Sequence, residues 1–424
     1  GDSSMKNNIL KYSTIFLCAV LAGSIFLVMA YALPLTRIEQ HVQESLAVLE
    51  EEGDYPRDIP KDEATRRDNF TDALMLNVAS YKSDKGLMEK AFGNYFITTY
   101  DDKSVEWLAN RNAKEKNETS YARYWHGYSG VLKILLQFLN YQEIRWFLYV
   151  CELGLMVSVA LLMLRLKKIQ YIVSFFLALL FFPLTVVSKS LQFSMVFIPT
   201  LVGIISILKI SAFGKHTYTT LFFIEGIIIA YLDLLTYPLV NVGFLLCFVL
   251  IMDKENQWLG KLKKLIVYTF MWGVGYAGMW ASKWLLSSLF VKRNVLADAI
   301  DTASFRMSSG NGNNKWTYWD VIKKNIEICP RFIVVLCIIF AVYMVLKMYR
   351  KGVAIQRMKG NIVFMLIAIM PFIWYWGLNN HSYIHAFFAH RELSVTYLAI
   401  LFYIVSMVSD TSVLSKKRKI VEEE

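Results

Sequence analysis

Ten runs of apolar residues, separated by short polar or charged segments, recur along this 424-residue sequence. A helix needs about 20 consecutive apolar residues to cross the hydrocarbon core of a bilayer, and most of these runs reach or approach that length. We therefore predict an all-α polytopic membrane protein. The predicted spans are residues 12–33, 146–164, 169–187, 193–210, 219–235, 238–252, 265–289, 331–347, 361–378 and 393–409.

The overall composition agrees with a membrane protein. Apolar residues make up 56% of the chain and charged residues 19%, against about 45–50% and about 25% in a typical soluble domain. The mean hydropathy is +0.39. The five cysteines lie in or beside apolar runs without paired spacing, so they indicate neither a disulfide framework nor a metal site.

The positive charges predict how the chain is oriented. Lys and Arg number 45 against 34 Asp and Glu, a net charge of +11, and their clusters fall at every second boundary between apolar runs. The positive-inside rule assigns those boundaries to the cytoplasm, so we predict a plasma-membrane protein with both termini cytoplasmic. Because orientation accounts for the cations, no nucleic-acid partner is predicted. The clusters are Lys6/Lys11, Arg165/Lys167/Lys168, Lys209/Lys215, Lys254/Lys261/Lys263/Lys264, Lys347/Arg350/Lys351/Arg357/Lys359 and Lys416/Lys417/Arg418/Lys419.

This topology places the long loops outside the cell. No glycine-rich phosphate-binding motif lies between the spans, so any chemistry is expected on the outer face without a nucleotide-binding domain. The predicted organisation is a first span in 1–33, an extracytoplasmic loop in 34–145, spans two to seven in 146–289, a second loop in 290–330, spans eight to ten in 331–409 and a basic cytoplasmic tail in 410–424.

The first loop has its own helical patterns. Apolar residues at helical spacing, ended by Gly53, predict an amphipathic helix over 37–52. A second helix is expected to begin at Thr71, and a third surface helix within 127–141 is expected to lead into the second span. The apolar positions of the first and third helices are Ile38, Val42, Leu46, Leu49, Val131, Leu132, Leu135, Leu136 and Leu139.

The first candidate site is the pair Asp68 and Asp72 in the sequence RDNFTD. Two carboxylates just before a helix have the chemistry of a general base or of ligands for a divalent cation. The alternative is structural: Thr71 would be the N-cap, and Asp72 in the first turn would complement the helix dipole.

The second candidate is the aromatic segment of residues 121–128. Aromatic rings interleaved with Arg and His suit stacking on sugars and binding of an anion. The alternative is a belt of interfacial aromatics at the membrane surface. The candidate sugar- or acceptor-binding residues here are Arg123, Tyr124, Trp125, His126 and Tyr128.

The third candidate is Asp233, at the end of a predicted span in the sequence DLLTYP. An ionisable residue in a span is costly and usually functional. If Asp233 instead lies just above the hydrocarbon, it serves only as a cap for the next helix.

The fourth candidate is the segment before the last span, where three of the six histidines lie within ten residues. His381 and His385 share a face if the segment is helical, but the zinc motif HExxH is absent and His390 is off-register, so no metal site is predicted. With Arg391, the two histidines suit a phosphate or pyrophosphate. Lys189 could join that anion site, although a lone Lys at a span end usually snorkels. The structural alternative for the segment is a solvated loop.

Together these segments resemble the GT-C class of membrane glycosyltransferases. The segments 68–76 (DNFTDALML), 121–128 (YARYWHGY), 233–238 (DLLTYP) and 381–391 (HSYIHAFFAHR) look like the motif blocks of a bacterial group associated with decoration of Gram-positive cell-wall polysaccharides and glycolipids. The resemblance covers nearly the whole chain.

The resemblance implies transfer of a sugar from a polyprenyl-phosphate donor to an acceptor hydroxyl of a polysaccharide or glycolipid. It implies a first-loop aspartate as base, which falls on Asp72 or Asp68. The adjacent acidic pair of several GT-C families is spread apart here, and the pair Asp101 and Asp102 stays open as a competitor. A divalent cation is neither predicted nor excluded. A polyprenyl-phosphate sugar synthase in the same pathway is an expected partner.

In the expected mechanism His381, His385, Arg391 and Lys189 hold the donor phosphate, while the aromatic segment and Asp233 hold the sugar or acceptor. Three other functions stay open. A transporter or flippase of lipid-linked saccharides would show internal repeats and ionisable residues at the bilayer midplane. A polysaccharide polymerase or ligase usually depends on Arg-rich outer loops, which only 290–330 approaches. A membrane assembly partner without enzymatic activity is the third.

Overall fold

A computed structural model describes residues 2–351 and 355–408 of the protein. Helices make up 74% of it, which confirms a mostly helical membrane protein. Two short antiparallel strand pairs are the departure from a purely helical chain. The predicted basic tail 410–424 lies outside the described residues, as does position 409 at the end of the last predicted span.

The first span and the first loop contain six helices and one strand pair. The amphipathic helix predicted for 37–52 is confirmed, because its four apolar positions are all buried and Gly53 ends it at φ 73°. Strands β1 (Tyr95–Thr98) and β2 (Asn117–Ser120) pair antiparallel. The helices are α1 (Asp2–Tyr31), α2 (Leu35–Glu52), α3 (Asn69–Ser80), α4 (Leu87–Gly93), α5 (Ser104–Ala109) and α6 (Gly127–Leu135).

The central part of the chain consists of seven helices. The surface helix predicted within 127–141 is shorter than expected, because α6 ends at Leu135 and a new helix starts with a capping box between Asn140 and Glu143. The helices are α7 (Tyr141–Arg165), α8 (Ile172–Leu179), α9 (Leu184–Val187), α10 (Leu191–Ala212), α11 (Thr219–Leu232), α12 (Leu239–Met252) and α13 (Trp258–Val291).

The span predicted for 169–187 is divided into two short helices, α8 and α9. Pro183 stands directly before α9. A proline has no backbone N–H and restricts the residue before it, so a helix tends to end ahead of it. The apolar run predicted the location of this segment correctly, but its continuity was overestimated.

The C-terminal part contains the second loop and the last spans. Strands β3 (Gly310–Asn311) and β4 (Asn314–Lys315) pair around Gly312, whose φ of 58° the turn requires. The helices are α14 (Val295–Met307), α15 (Tyr318–Ile328), α16 (Arg331–Lys351), α17 (Ile355–Gly360), α18 (Phe364–Gly377), α19 (Asn379–Ile384), α20 (Ala386–Ala389) and α21 (Leu393–Met407). Single 3₁₀ turns occupy Glu63–Thr65, Ile169–Tyr171 and His390–Glu392.

Six helical segments of the described residues are long and apolar enough to cross a membrane. Three shorter apolar helices lie at further predicted spans, and the 34-residue α13 covers 265–289. Every predicted run is therefore largely helical, while the count of ten spans stays a prediction. The six segments are Ser3–Tyr31, Tyr141–Arg165, Leu191–Ala212, Arg331–Arg350, Met358–Gly377 and Ala386–Met407.

The first loop packs onto one end of the helix bundle, which we call the loop end. There α1 and α13 finish while α7, α10 and α12 begin. One buried apolar cluster continues from α1 through α2 and α3 to Met279 of α13, and a second fills the space between α8, α10, α12, α18 and α21. The indole N–H of Trp125 donates to the carbonyl of Met279 (2.6 Å), which joins the loop to the bundle.

Candidate functional site

Asp72 is fully buried, and four donors saturate its carboxylate. Its Oδ2 accepts hydrogen bonds from the hydroxyl of Tyr141 (2.5 Å) and the backbone N–H of Leu191 (2.9 Å). Its Oδ1 accepts from the hydroxyl of Tyr128 (3.1 Å) and the backbone N–H of Gln192 (3.4 Å). Leu191 and Gln192 are the first residues of α10, so Asp72 caps that helix from another part of the chain.

Asp68 is the N-cap of α3, so the prediction of Thr71 as N-cap is wrong. Its carboxylate accepts from the backbone N–H of Thr71 (3.0 Å), from the Thr71 hydroxyl (2.9 Å) and from the side-chain amide of Gln192. An aspartate reaches the free amides of the first turn as well as a threonine does, and this one stands one turn earlier. We call Asp68, Asp72 and Gln192 the carboxylate clamp.

Burial raises the pKa of both carboxyl groups in the clamp. The pKa of Asp68 is raised to about 7, because desolvation and the neighbouring charge of Asp72 outweigh the hydrogen bonds from Thr71. The pKa of Asp72 is raised to about 6, since burial again outweighs the donors that surround it. A pKa near 7 suits a general base near neutral pH. Asp68 accepts one backbone hydrogen bond, whereas Asp72 accepts two, the longer at 3.4 Å.

Asp233 closes its own turn and is joined to the clamp through Thr236. Both carboxylate oxygens accept from the backbone N–H of Thr236 (3.0 Å each). The hydroxyl of Thr236 donates to Gln192 (3.3 Å). Leu235, which lies between Asp233 and Thr236 in the chain, adopts φ 63°, a left-handed conformation that costs a non-glycine residue about 1–2 kcal/mol. Asp233 stabilises the turn before α12, and the turn reaches the clamp.

Arg391 is fully buried and is committed to three backbone carbonyls. Its Nε donates to Phe181 (3.0 Å), Nη1 to Phe387 (3.2 Å) and Nη2 to Ala64 (3.2 Å). Its guanidinium lies 4.6 Å from the ring centroid of Phe193. We therefore remove Arg391 from the predicted phosphate site, because its position serves to bind the first loop to the last span.

The three histidines have different surroundings. His390 contacts the carbonyl of Ala386 (3.0 Å) and is buried. The ring of His381 is buried beside the backbone of Leu235. Nε2 of His385 accepts from Arg306 (3.0 Å), and burial together with the charge of Arg306 lowers the pKa of His385 to about 3. His385 is thus neutral and acts as an acceptor.

Some residues of the aromatic segment lie in the protein core, and others line a cavity. Trp125, His126 and Tyr128 are buried in the core; His126 precedes α6 at φ 58° and contacts the carbonyl of Tyr121 (2.6 Å). Only Arg123 and Tyr124 line a cavity. The segment that the sequence predicted as one binding site therefore contains both core residues and cavity-lining residues.

Lys189 and the Asp101–Asp102 pair lie away from that cavity. The side chain of Lys189 is half-buried, and its carbonyl accepts from Tyr141 (3.2 Å) beside the clamp. Asp101 and Asp102 are exposed on the loop before α5. In the described residues, no group of three or more His, Cys, Asp or Glu side chains is arranged to hold a metal ion.

The arginine–aromatic cavity, of ≈ 500 Å³, lies at the loop end where the aromatic segment, the Asp233 turn, α14 and the end of α18 meet. Two guanidinium groups interrupt a wall that is otherwise almost wholly apolar and aromatic, and no carboxylate is among the described lining residues. The lining residues are Arg123, Tyr124, Leu235, Tyr276, Ala277, Trp280, Ala281, Trp284, Ala299, Thr302, Ala303, Arg306, Trp374 and Leu378.

An aromatic ladder on α13 forms one wall of the cavity. Trp272, Tyr276, Trp280 and Trp284 follow at intervals of four residues, with ring centroids 4.7, 5.8 and 5.8 Å apart. The first rung donates to Asn241 (2.8 Å) and the last to the carbonyl of Arg123 (2.9 Å). The hydroxyl of Tyr276 and the indole N–H of Trp280, which line the cavity, are buried without a partner in the described residues.

The two arginines of the cavity differ in whether a carboxylate lies near their positive charge. Arg123 lies 3.4 Å from the carboxylate of Asp298, while its Nε is buried without a partner. Arg306 contacts the neutral His385, and no carboxylate lies within ion-pair distance of it in the described part of the chain. The residues around the cavity therefore combine two arginines and buried, unpartnered donors with an apolar surface, a combination suited to an anionic headgroup on an apolar chain.

Several lining residues were not predicted from the sequence. Arg306, Tyr276, Trp280, Trp284 and Trp374 were not proposed as site residues. The signal that could have found three of them is the four-residue spacing of aromatics along α13, which places them on one helix face. Nothing in the sequence indicates that α14 brings Arg306 to the same place.

Known proteins offer no independent assignment. No protein family matches this chain, and no characterised protein and no solved structure is significantly similar to it. The chemistry of the arginine–aromatic cavity and of the carboxylate clamp is therefore the basis for inferring the function.

Proposed function

We propose that the protein is a GT-C glycosyltransferase that moves a sugar from a polyprenyl-phosphate donor to an acceptor hydroxyl on the outer face of the plasma membrane. The observation that carries the proposal is the arginine–aromatic cavity. Its two guanidinium groups suit a phosphate, and the unpartnered groups of Tyr276 and Trp280 suit the oxygens of a sugar or of that phosphate. Aromatic rings are favourable surfaces for the apolar faces of a sugar.

The position of the cavity favours a donor carried on a lipid. Ala277 and Ala281 line the cavity and are also exposed on the outward face of α13. On the other side α14 turns Ala299 and Arg306 toward the cavity while Ile300 is 53% exposed. In the proposed orientation these exposed apolar residues face the bilayer, so that the apolar chain of the donor extends from the cavity along them within hydrocarbon surroundings.

In the proposed reaction the acceptor oxygen attacks the anomeric carbon, and the bond from that carbon to the phosphate oxygen breaks. The electron pair of that bond leaves with the phosphate, whose added negative charge Arg306 and Arg123 stabilise. The acceptor proton passes to a carboxylate. We assign this role to Asp68, because Asp72 is saturated by four donors, two of them in the backbone of α10.

Asp68 is connected to the wall of the cavity through Gln192 and the turn that contains Thr236 and Leu235. Gln192 donates to Asp68 and accepts from Thr236, whose neighbour Leu235 lines the cavity. Of the predicted phosphate ligands, His385 is kept as the acceptor that orients Arg306, and Arg306 takes the place that the sequence had suggested for Arg391. His381 lies in the same buried segment, and Lys189 lies beside the clamp.

The test is incubation of purified protein in lipid nanodiscs with polyprenyl-phosphate sugars and cell-wall glycans, followed by mass analysis of the products. Arg306→Gln is expected to lower transfer about 10²–10³-fold, because a preorganised donor to the leaving group is lost. Lys315→Gln in the same loop is the matched control, since Lys315 is exposed and lies outside the cavity. No transfer with any donor, or equal rates for the two variants, would contradict the proposal.

One observation favours a second candidate, a transporter or flippase of lipid-linked saccharides. Glu152 of α7 and Glu225 of α11 are buried inside predicted spans, where ionisable groups are often functional. Each has a local partner: the hydroxyl of Ser194 donates to Glu152 (2.5 Å), and Asn241 donates to Glu225 (2.9 Å). Flipping of a fluorescent lipid-linked sugar in proteoliposomes, lost in Glu225→Gln without any transfer product, would favour this candidate.

A further inference from the structure

A second cavity, of ≈ 650 Å³, lies at the loop end beside the first one. We call it the lysine cleft. Its walls are residues 60–66 of the first loop, the second half of α15 with the start of α16, and the segment between Ile384 and Phe387. None of the residues discussed so far as part of the arginine–aromatic cavity lines it.

His385 lies between the two cavities. Its neighbours Ile384 and Ala386 line the lysine cleft, while its ring accepts from Arg306 of the arginine–aromatic cavity. The charges of Arg66 and Lys324, both in the lysine cleft, reach the same ring. A ligand in the cleft would therefore be adjacent to a donor bound in the first cavity.

Three cations of the cleft have no acidic partner. In the described residues no carboxylate lies within ion-pair distance of Lys61, Lys324 or Arg331. Cations in one cavity repel each other, so an unfilled arrangement of this kind is unfavourable unless an anion joins it.

The carboxylates of the cleft are already engaged. Asp62 accepts from the backbone N–H of Ala64 (3.0 Å). Glu63 pairs with Arg57 and with Arg66, the latter at 3.1 Å. Glu327 lies 3.9 Å from Lys323 on the exposed face of α15. Glu63 and Glu327 are thus paired with other cations, and the three unpaired cations of the cleft outnumber its one carboxylate without an ion pair within the described residues, that of Asp62.

Aromatic rings hold two of the cleft's cations in place. Nζ of Lys324 lies 3.9 Å from the ring centroid of Tyr383, which stacks on Trp316 at 4.2 Å. The guanidinium of Arg66 lies 4.3 and 4.4 Å from the ring centroids of Tyr55 and Phe387. Because these side chains are already ordered, binding of an anion loses less conformational entropy.

We propose that the lysine cleft binds a negatively charged segment of the acceptor glycan, either phosphodiester or uronate, next to the donor. The inference rests on the proposed glycosyltransferase function, and it names the class of acceptor. A hydrophilic chain fits the cleft because residues 60–63 and α15, which form its walls, belong to the loops.

The test measures binding of short oligomers to the full-length protein in phosphatidylcholine nanodiscs, without any donor. The probes are a glycerol-phosphate oligomer, tetragalacturonate and, as neutral control, maltotetraose. We expect at least one charged probe to bind, more weakly at higher salt, and maltotetraose to bind at least about tenfold less well. Lys324→Gln should weaken binding about tenfold, while Lys323→Gln, one residue away and exposed, should not.

Equal binding of the neutral probe, or equal binding by the two lysine variants, would overturn the inference. Loss of probe binding when phosphatidylglycerol is added to the nanodiscs would also overturn it, because the cleft would then hold a lipid headgroup. Binding of the charged probe in a protein that transfers no sugar would leave the cleft assigned and the glycosyltransferase proposal refuted. If the protein transfers sugar to neutral acceptors and Lys324→Gln does not change the rate, the glycosyltransferase proposal stands and the assignment of the cleft is refuted.

Discussion

The carboxylate clamp and the arginine–aromatic cavity are both polar regions at the loop end, and they differ in one respect. In the clamp each carboxylate oxygen of Asp72 accepts two hydrogen bonds from the protein. In the cavity the polar atoms of Tyr276 and Trp280, and Nε of Arg123, have no partner in the described residues. A saturated group holds the fold together, whereas an unsatisfied buried donor costs about 1–3 kcal/mol unless a ligand pairs with it.

This comparison distinguishes charged residues that stabilise the fold from charged residues that are available to a ligand. The sequence alone does not distinguish them. Asp72 and Arg391 are charged residues in the segments most suggestive of chemistry, yet both are bound by the fold. Arg306 lies in a less distinctive loop, and its cationic group is available. Completeness of hydrogen bonding is therefore a better guide to function in this protein than residue type.

The largest expected effect on folding is that of Asp72→Asn. Each oxygen of Asp72 accepts a backbone N–H of α10, so either orientation of an amide places a donor against a donor. The expected cost is about 1–3 kcal/mol for each donor left unpaired, measured as a lower unfolding temperature in detergent. Asp101→Asn, at an exposed position, is the control. An unchanged unfolding temperature in Asp72→Asn would contradict the claim that Asp72 stabilises the fold.

Asp68→Asn is expected to leave the protein folded and to lower transfer about 10²–10⁴-fold, the usual effect of losing a general base. An asparagine at this position still caps α3 through Thr71, and the side chain of Gln192 can rotate its amide to match it. The measurement is the rate of transfer beside the unfolding temperature of the same sample. Full activity would remove Asp68 from the mechanism.

The pH dependence should have opposite signs for activity and stability. The proposed base acts when ionised, so kcat/KM should fall about tenfold per pH unit below the Asp68 pKa of about 7 and level off above it. Both clamp carboxyls have folded-state pKa values above the ordinary value of about 3.9, so the stability they contribute is lost as pH rises through about 6 to 7. Unfolding temperatures at pH 5 and 7.5 check this, and a higher value at pH 7.5 would contradict it.

The smallest expected effect concerns an unpartnered donor in the cavity. Trp280→Phe keeps an aromatic ring but removes the indole N–H, so the KM for the donor should rise about 3–10-fold with little change in unfolding temperature. Trp319→Phe is the control, because Trp319 is 73% exposed. If KM is unchanged, the unpartnered N–H is not a ligand contact.

Much of the fold could be predicted from the sequence because apolar runs and amphipathic spacing are local signals. The helix 37–52 and the positions of the apolar helices are examples. The break at Pro183 was missed, since a run of apolar residues does not itself reveal where a helix is interrupted. The capping of α3 was assigned to Thr71 because Asp68 and Thr71 are both good caps, and only the structure decides between them.

The candidate site was less predictable because its residues are distant in sequence. Asp68 and Asp72 were singled out as candidates for the base, but the contacts that Asp72 makes with the start of α10 involve residues about 120 positions away. The cavity requires Arg123, Trp280 and Arg306 to meet, and no local pattern encodes that meeting. Likewise, the burial of Arg391 against three carbonyls is a property of the packed bundle.

The bond between Arg391 and Ala64 also has a consequence for biosynthesis. The two residues are 327 positions apart, so Ala64 leaves the ribosome long before Arg391 is made. The carbonyls of Ala64 and Phe181 must therefore wait for the final span before they acquire their shared donor. A nascent chain that stops short of this arginine would contain most of its helices, yet its first loop would lack this anchor. Packing of the last apolar helix is therefore the step that completes assembly.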